Sequence, residues 1–227
     1  MPRADTDHAR GEPLEVEVKL AVEDPDAIGQ LIDNPDTHAL AGFEPAGPTR
    51  VDVVVDRYLD TEAGALEAAG ARIRLRESET GVTATLKRRG VVENGVTARA
   101  ELEGPATPSL DPSDWPDSPA RQALEEIIAS TPLVETARLR QRRQVRDIAR
   151  DETRVELSLD RLDALDGDDA VATRWELEAE LKAGDREALA ELSNALQVLP
   201  GVSLAAESKR LFAMLAVAQA RSSRPRR

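Results

Sequence analysis

The stretch Leu14-Glu15-Val16-Glu17-Val18-Lys19-Leu20 alternates without a break between aliphatic and charged residues. An extended strand therefore puts Leu14, Val16, Val18 and Leu20 on one face and Glu15, Glu17 and Lys19 on the other. The two carboxylates stand about 7 Å apart along that face, with an ammonium one step beyond. Such a row can hold a divalent cation and an anion side by side. Taken alone, an amphipathic strand with a solvated charged face reads the same way. The constraint comes from recurrence, because later stretches repeat the pattern with complementary charge.

Ala71 to Glu77 sets Arg72, Arg74 and Arg76 against Ile73 and Leu75, and Val82 to Arg88 puts Thr83, Thr85 and Lys87 on one face. Val96 to Glu103 carries Arg99, Glu101 and Glu103 opposite Ala98, Ala100 and Leu102. Ala137 to Ile148 places Arg138, Arg140 and Arg142 on one face with Leu139 opposite, and its parity breaks near Arg142-Arg143. Thr153 to Arg161 sets Val155, Leu157 and Leu159 against Glu156, Ser158 and Asp160. Glu176, Glu178, Glu180 and Lys182 share a face of Val171 to Lys182. Whole faces carry one sign, and like charges two residues apart repel by roughly 1 kcal/mol per pair even in water. Such faces are reasonable if they point at one another or at a ligand of opposite charge. The aliphatic faces then need covering from outside, which amphipathic helices near residues 26–34, 118–130, 185–199 and 207–220 can do. The expected fold is α+β: a closed, eight-stranded antiparallel β-barrel with a charged lumen and helices packed outside.

The chain has 227 residues, 41% hydrophobic and 32% charged, which suits a soluble globular protein. No apolar run approaches the ~20 residues of a membrane span, and the first residues lack the apolar segment of a signal peptide, so a cytoplasmic location is expected with no membrane partner. Without cysteine there are no disulfides or thiolate metal sites, and two histidines, His8 and His38, leave little for zinc or a Ser-His-Asp triad. A net charge of −13 argues against non-specific nucleic-acid binding, and 2% aromatics make base-stacking platforms hard to build. Residues 1–12 read as a disordered leader, 13–220 as one domain and 221–227 as a basic disordered tail. The Pro/Ser/Asp-rich stretch Gly104 to Pro119 is a loop, and the strand pattern on its two sides is too alike to divide the chain there.

Glu15-Val16-Glu17-Val18-Lys19 resembles the ExExK signature of the CYTH domain, the triphosphate tunnel metalloenzymes. Further blocks follow in that family's order: Tyr58-Leu59-Asp60-Thr61, Gly70 with Ile73-Arg74-Leu75-Arg76, Thr85-Leu86-Lys87, and Arg99 to Glu103. Glu156 to Asp160, Glu176 to Glu180 and Ser208-Lys209 complete the set, spanning about residues 13 to 215. The resemblance implies that Lys19, Arg74, Arg76, Lys87, an arginine of the pair Arg140 and Arg142, and Lys209 bind a triphosphate. It implies that Glu15, Glu17, Glu103, Asp160, Glu178 and Glu180 or Glu176 hold Mg²⁺ or Mn²⁺ directly or through water, with Glu15, Glu17 and Lys19 at the catalytic centre. Glu101 would support the lumen, Arg72 and Arg138 would pair with acidic neighbours, and Asp60 would serve a turn. Leu59 departs from the second aromatic that many members carry, and no histidine-rich helical extension follows. The implied activity is hydrolysis of inorganic triphosphate or a small organic triphosphate by a monomer or homodimer. Thiamine-triphosphatase, adenylate cyclase and a non-catalytic polyphosphate or nucleotide sensor are the alternatives.

Overall fold

The alternating stretches pair edge to edge until the sheet meets itself. In the computed structural model, which describes residues 12–93 and 95–223, β1 (Leu14–Val22) pairs with β10 (Asp169–Ala183), and β10 with β9 (Thr153–Asp166). The path continues through β8 (Leu133–Arg150), β3 (Arg50–Thr61), β4 (Ala71–Ser78), β5 (Gly81–Arg88) and β7 (Val96–Ala106). β7 returns to β1, with Glu15 opposite Arg99, and closes an eight-stranded antiparallel barrel. Three short strands flank it: β2 (Glu44–Pro45) on β8, β6 (Val91–Glu93) on β7 and β11 (Val202–Leu204) on β1.

Two apolar layers lie outside the barrel. Val16, Val18, Leu20, Leu157, Leu159 and Leu177 pack beneath α1 (Pro25–Asp33) and α4 (Arg186–Gln197), which contribute Ile28, Ile32, Leu189, Leu192 and Leu196. Ile73, Leu75, Ala84 and Leu86 pack beneath α2 (Ala65–Ala68) and α3 (Pro119–Ile128) with Trp115, whose indole N–H donates to the Ser109 carbonyl at 2.9 Å. The helices begin where the sequence says they should. Asp24 caps α1 by accepting from the Ala27 amide at 3.1 Å, and Ser118 caps α3 by accepting from Arg121 N at 3.3 Å; proline occupies the first turn of each. Asp60 accepts the amides of Thr61, Leu66 and Glu67, the turn role expected of it.

A third apolar cluster lies on the inward parity of the strands. Tyr58, Ala137, Leu139, Leu162 and Ala164 meet Ala213 of α5 (Lys209–Ser222). This corrects the expectation for the basic strand β8. Alternation alone puts Leu139 outward, as on the other strands whose aliphatic faces are outward. Leu139 instead faces α5, so Gln141 and Arg143 share the inward parity, while Arg140 and Arg142 stand exposed on the outer wall. Arg138 is also outward and pairs with Glu135 at 2.8 Å.

The expected leader lies outside the described residues except for Glu12, which pairs with Arg88 at 3.3 Å; His8 and Asn94 also fall outside them. Of the expected tail, Arg221 and Ser222 belong to α5 instead, and Arg221 pairs with Asp166 at 2.7 Å; residues 224–227 lie outside the described set. No helix among the described residues is long and apolar enough to cross a membrane.

Gly184 leads from β10 into α4 with φ +94°, and a Cβ there would meet Thr153 Cα at 2.5 Å. Gly184→Ala is expected to lower unfolding free energy by about 2 kcal/mol, through strain at positive φ and overpacking against backbone. Urea denaturation would read this as a lower midpoint at unchanged slope.

Candidate functional site

The inward faces enclose a cavity of about 400 Å³. Glu15 and Glu17 enter it from β1 because Val16 and Val18 are committed to the outer layer. Glu15 accepts from Lys87 Nζ and Arg99 Nε, each at 2.7 Å; Glu17 accepts from Arg99 Nη2 at 2.5 Å and lies 3.1 Å from Lys19 Nζ. Across the β1–β10 pair, Lys19 stands 3.1 Å from Glu178, which Lys209 and Arg143 approach at 3.2 and 3.5 Å. Burial opposes the charge on Lys19, but Glu17 and Glu178 outweigh it and hold its pKa above the ordinary value. Burial likewise disfavours ionised Glu178, yet Lys19, Lys209 and Arg143 keep its carboxyl well below the usual range. Lys87 differs: burial and the neighbouring Arg74 lower its pKa despite Glu15.

Behind this layer lie two fully buried aspartates. Asp56 on β3 takes Arg76 in a two-bond fork at 2.7 and 2.8 Å, Arg74 at 3.3 Å, and the side-chain amide of Gln141. Asp160 on β9 takes Arg143 at 2.9 Å and Lys209 at 2.5 Å. Gln141 joins the two groups, since its carbonyl oxygen accepts from Lys209 Nζ at 2.8 Å. The aspartates thus fix the guanidinium planes that face the cavity, a preorganisation suited to binding phosphate oxygens.

Ten residues expected at the site line this one cavity: Glu15, Glu17, Lys19, Arg74, Arg76, Lys87, Glu103, Glu178, Glu180 and Lys209. Glu101 lines it too, 3.0 Å from Lys87. Asp160, expected as a metal ligand, sits behind the wall with both oxygens engaged by cations. Arg140 and Arg142, expected to grip phosphate, are outside, and Arg143 occupies the place assigned to them. Sequence reasoning missed Asp56, Arg99, Gln141 and Arg143. Asp56 had a signal, as an acid set between Val54 and Tyr58 at one parity of a valine-rich strand.

Among the described residues, no three acidic or histidine side chains are gathered closely enough to hold a metal as they stand. The donor chemistry nevertheless fits a hard cation. Only carboxylates are offered, and Glu17 and Glu180 stand opposite one another in the β1–β10 pair with both lining the cavity. Burial raises the Glu180 pKa against the opposing pull of Lys182, and Glu15 and Glu156 add to the rise. Glu15, Glu17, Glu178 and Glu180 are therefore the residues whose charge a divalent ion would answer.

The CYTH-domain family model matches residues 13–211. The chain belongs to the CYTH-domain family. Solved structures share its fold. HpAC1 from Hippeastrum, described as a candidate adenylyl cyclase with a dominant triphosphatase activity, aligns with TM-score 0.63 at 21% identity, over 88% of this chain and 94% of that one. A candidate adenylate cyclase from Bacillus halodurans gives 0.54 at 17% identity, over 88% and 97%. The PH1819 protein of Pyrococcus horikoshii gives 0.53 at 16%, over 90% and 99%. No curated protein sequence matches this CYTH chain.

Proposed function

We propose that this CYTH-domain protein is a divalent-metal-dependent hydrolase of inorganic triphosphate, cleaving a phosphoanhydride bond of a substrate held in the barrel. The observation that carries this reading is the cavity itself. Lys19, Arg74, Arg76, Lys87, Arg143 and Lys209 face it together with Glu15, Glu17, Glu178 and Glu180. Seated guanidinium groups match phosphate oxygens two at a time, and the lysines add point charges. The triphosphatase activity described for HpAC1, whose fold this chain shares, supports the same reaction class.

Mg²⁺ or Mn²⁺ bound at the carboxylates would neutralise phosphate charge and lower the pKa of a bound water. The protein's own part is positioning and electrostatic stabilisation. Arg74 and Arg76, held by Asp56, orient the phosphate chain. Lys19, kept charged by Glu17 and Glu178, stabilises negative charge on the transferred phosphoryl group. Arg143 and Lys209 do the same from the far wall, where Asp160 fixes both. Tyr58 is the one aromatic lining the cavity among the described residues, and it is nearly buried in the α5 cluster. A purine or thiazolium ring therefore has little to stack on, which favours inorganic triphosphate over ATP or thiamine triphosphate.

The test is phosphate release from inorganic triphosphate, thiamine triphosphate and ATP side by side, with Mg²⁺, Mn²⁺ or chelator, and cyclic AMP measured in the ATP reaction. Metal-dependent release with the highest kcat/KM for inorganic triphosphate is expected. Cyclic AMP as the main product would replace hydrolase by cyclase, and tight binding without turnover would leave a sensor.

A further inference from the structure

Of the 14 residues of α5, the buried ones are Lys209 and Ala213. Lys209 is a cation of the channel, which leaves the small side chain of Ala213 as the buried apolar anchor of the helix. So slight an apolar contact fixes the start of a helix poorly, and Arg174 on β10 adds a polar one. Its Nη2 donates to the Glu207 backbone carbonyl at 3.2 Å, its Nη1 lies 3.7 Å from the Glu207 carboxylate, and its guanidinium carbon stands 4.4 Å from the centroid of the Phe212 ring. Glu176, buried two residues along the same face of the strand, accepts from Arg174 Nη2 and holds the guanidinium in place. Arg174 thus grips Glu207 and Phe212, on either side of Lys209. The Lys209 ammonium donates to Gln141 at 2.8 Å and to Asp160 at 2.5 Å.

Neither Arg174 nor Glu176 lines the cavity, whereas Ser208, Lys209 and Arg210 at the start of α5 do. Arg174 therefore touches no phosphate in the channel and can act on one through the helix. A guanidinium suits that task, because its flat face stacks on a ring while its edge donates hydrogen bonds, and an ammonium does only the second. We propose that Arg174 is a positioning residue: by seating the start of α5 it sets the Lys209 ammonium where a triphosphate in the channel would meet it. Lys209 has partners of its own, so losing Arg174 would not release the helix; it would let the helix start shift about the ammonium and blur its placement. This inference rests on the triphosphate reading of the channel and adds to it a residue outside the channel wall.

Titration calorimetry with inorganic triphosphate in chelator, so that nothing turns over, tests it on Arg174→Lys, Lys209→Met and the double variant. Arg174→Lys still answers the buried Glu176 carboxylate, and in Lys209→Met Asp160 and Glu178 keep Arg143 and Lys19, so each should fold. Arg174→Lys should bind triphosphate about tenfold more weakly than wild type, the loss of one charge-assisted contact. In the Lys209→Met background the same change should cost nothing further, the non-additivity of two residues that act as one. Amide hydrogen exchange in Arg174→Lys should quicken over residues 207–216 and stay as in wild type in β1 and β4. Wild-type affinity in Arg174→Lys, an equal weakening with and without Lys209, or exchange that is unchanged at α5 or raised throughout would overturn the proposal. Those results with triphosphate still bound and hydrolysed would leave the hydrolase reading standing. A wild-type protein that binds no triphosphate would remove both.

Discussion

Glu17→Gln is expected to reduce triphosphate hydrolysis by about 10³-fold, the several kcal/mol that a metal-centred reaction loses with one charged ligand. The fold should survive, because glutamine keeps the shape and Glu15 continues to hold Arg99 at 2.7 Å. Removing a negative charge beside Lys19 and Arg99 also leaves more positive potential for the phosphate chain. In chelator, triphosphate should accordingly bind the variant as well as the wild type or better. The split between lost kcat and retained affinity separates a catalytic carboxylate from a merely structural one, which would change both or neither. Wild-type turnover would take Glu17 out of the reaction.

Asp56→Ala is expected to cost about 3–5 kcal/mol of stability, the penalty for stranding buried partners of an ion pair. Asp56 is fully buried, and its loss leaves Arg74, Arg76 and the Gln141 amide without their shared acceptor. The pH dependence has a definite sign. Burial would raise the Asp56 pKa, but Arg74 and Arg76 overcome it and hold the carboxyl well below its ordinary 3.8. A carboxyl depressed on folding stabilises the native state fully above its unfolded value and loses that contribution as pH falls toward the folded value. The wild type should therefore lose stability progressively below about pH 4, and Asp56→Asn should show a shallower loss over that range. Urea midpoints collected from neutral pH into that range check both statements. An Asp56→Ala protein as stable as wild type would show that the arginines need no buried anchor.

Much of the barrel was legible because its strands are amphipathic with a period of two, and register follows wherever one face must be buried. Val16, Ile73, Leu86 and Leu177 fixed the outward parity of four strands, and with it Glu17, Arg74, Lys87 and Glu178 inside. The same rule failed on β8. There the aliphatic residue Leu139 faces inward to meet α5, so an apolar residue no longer marked the outer wall. That contact depends on where a helix some 70 residues later docks, which alternation within β8 does not encode. Asp56 and Gln141 escaped for a related reason. Their importance lies in the partners they bridge, Arg76 on one side and Lys209 on the other, and these come from two other elements, β4 and α5. Arg99 stood at the right parity, but its two carboxylate partners became visible only once β7 closed onto β1.

The central claim is that opposed acidic and basic rows converge on one ligand inside the barrel. A crystal grown with inorganic triphosphate and Mn²⁺ tests it most directly, by locating phosphate density and the anomalous signal of the metal. Phosphates against Arg74, Arg76 and Lys209, with Mn²⁺ on Glu15, Glu17, Glu178 or Glu180, is the predicted result. Triphosphate seated on the outer wall at Arg140 and Arg142, with the channel holding neither ion, would contradict it.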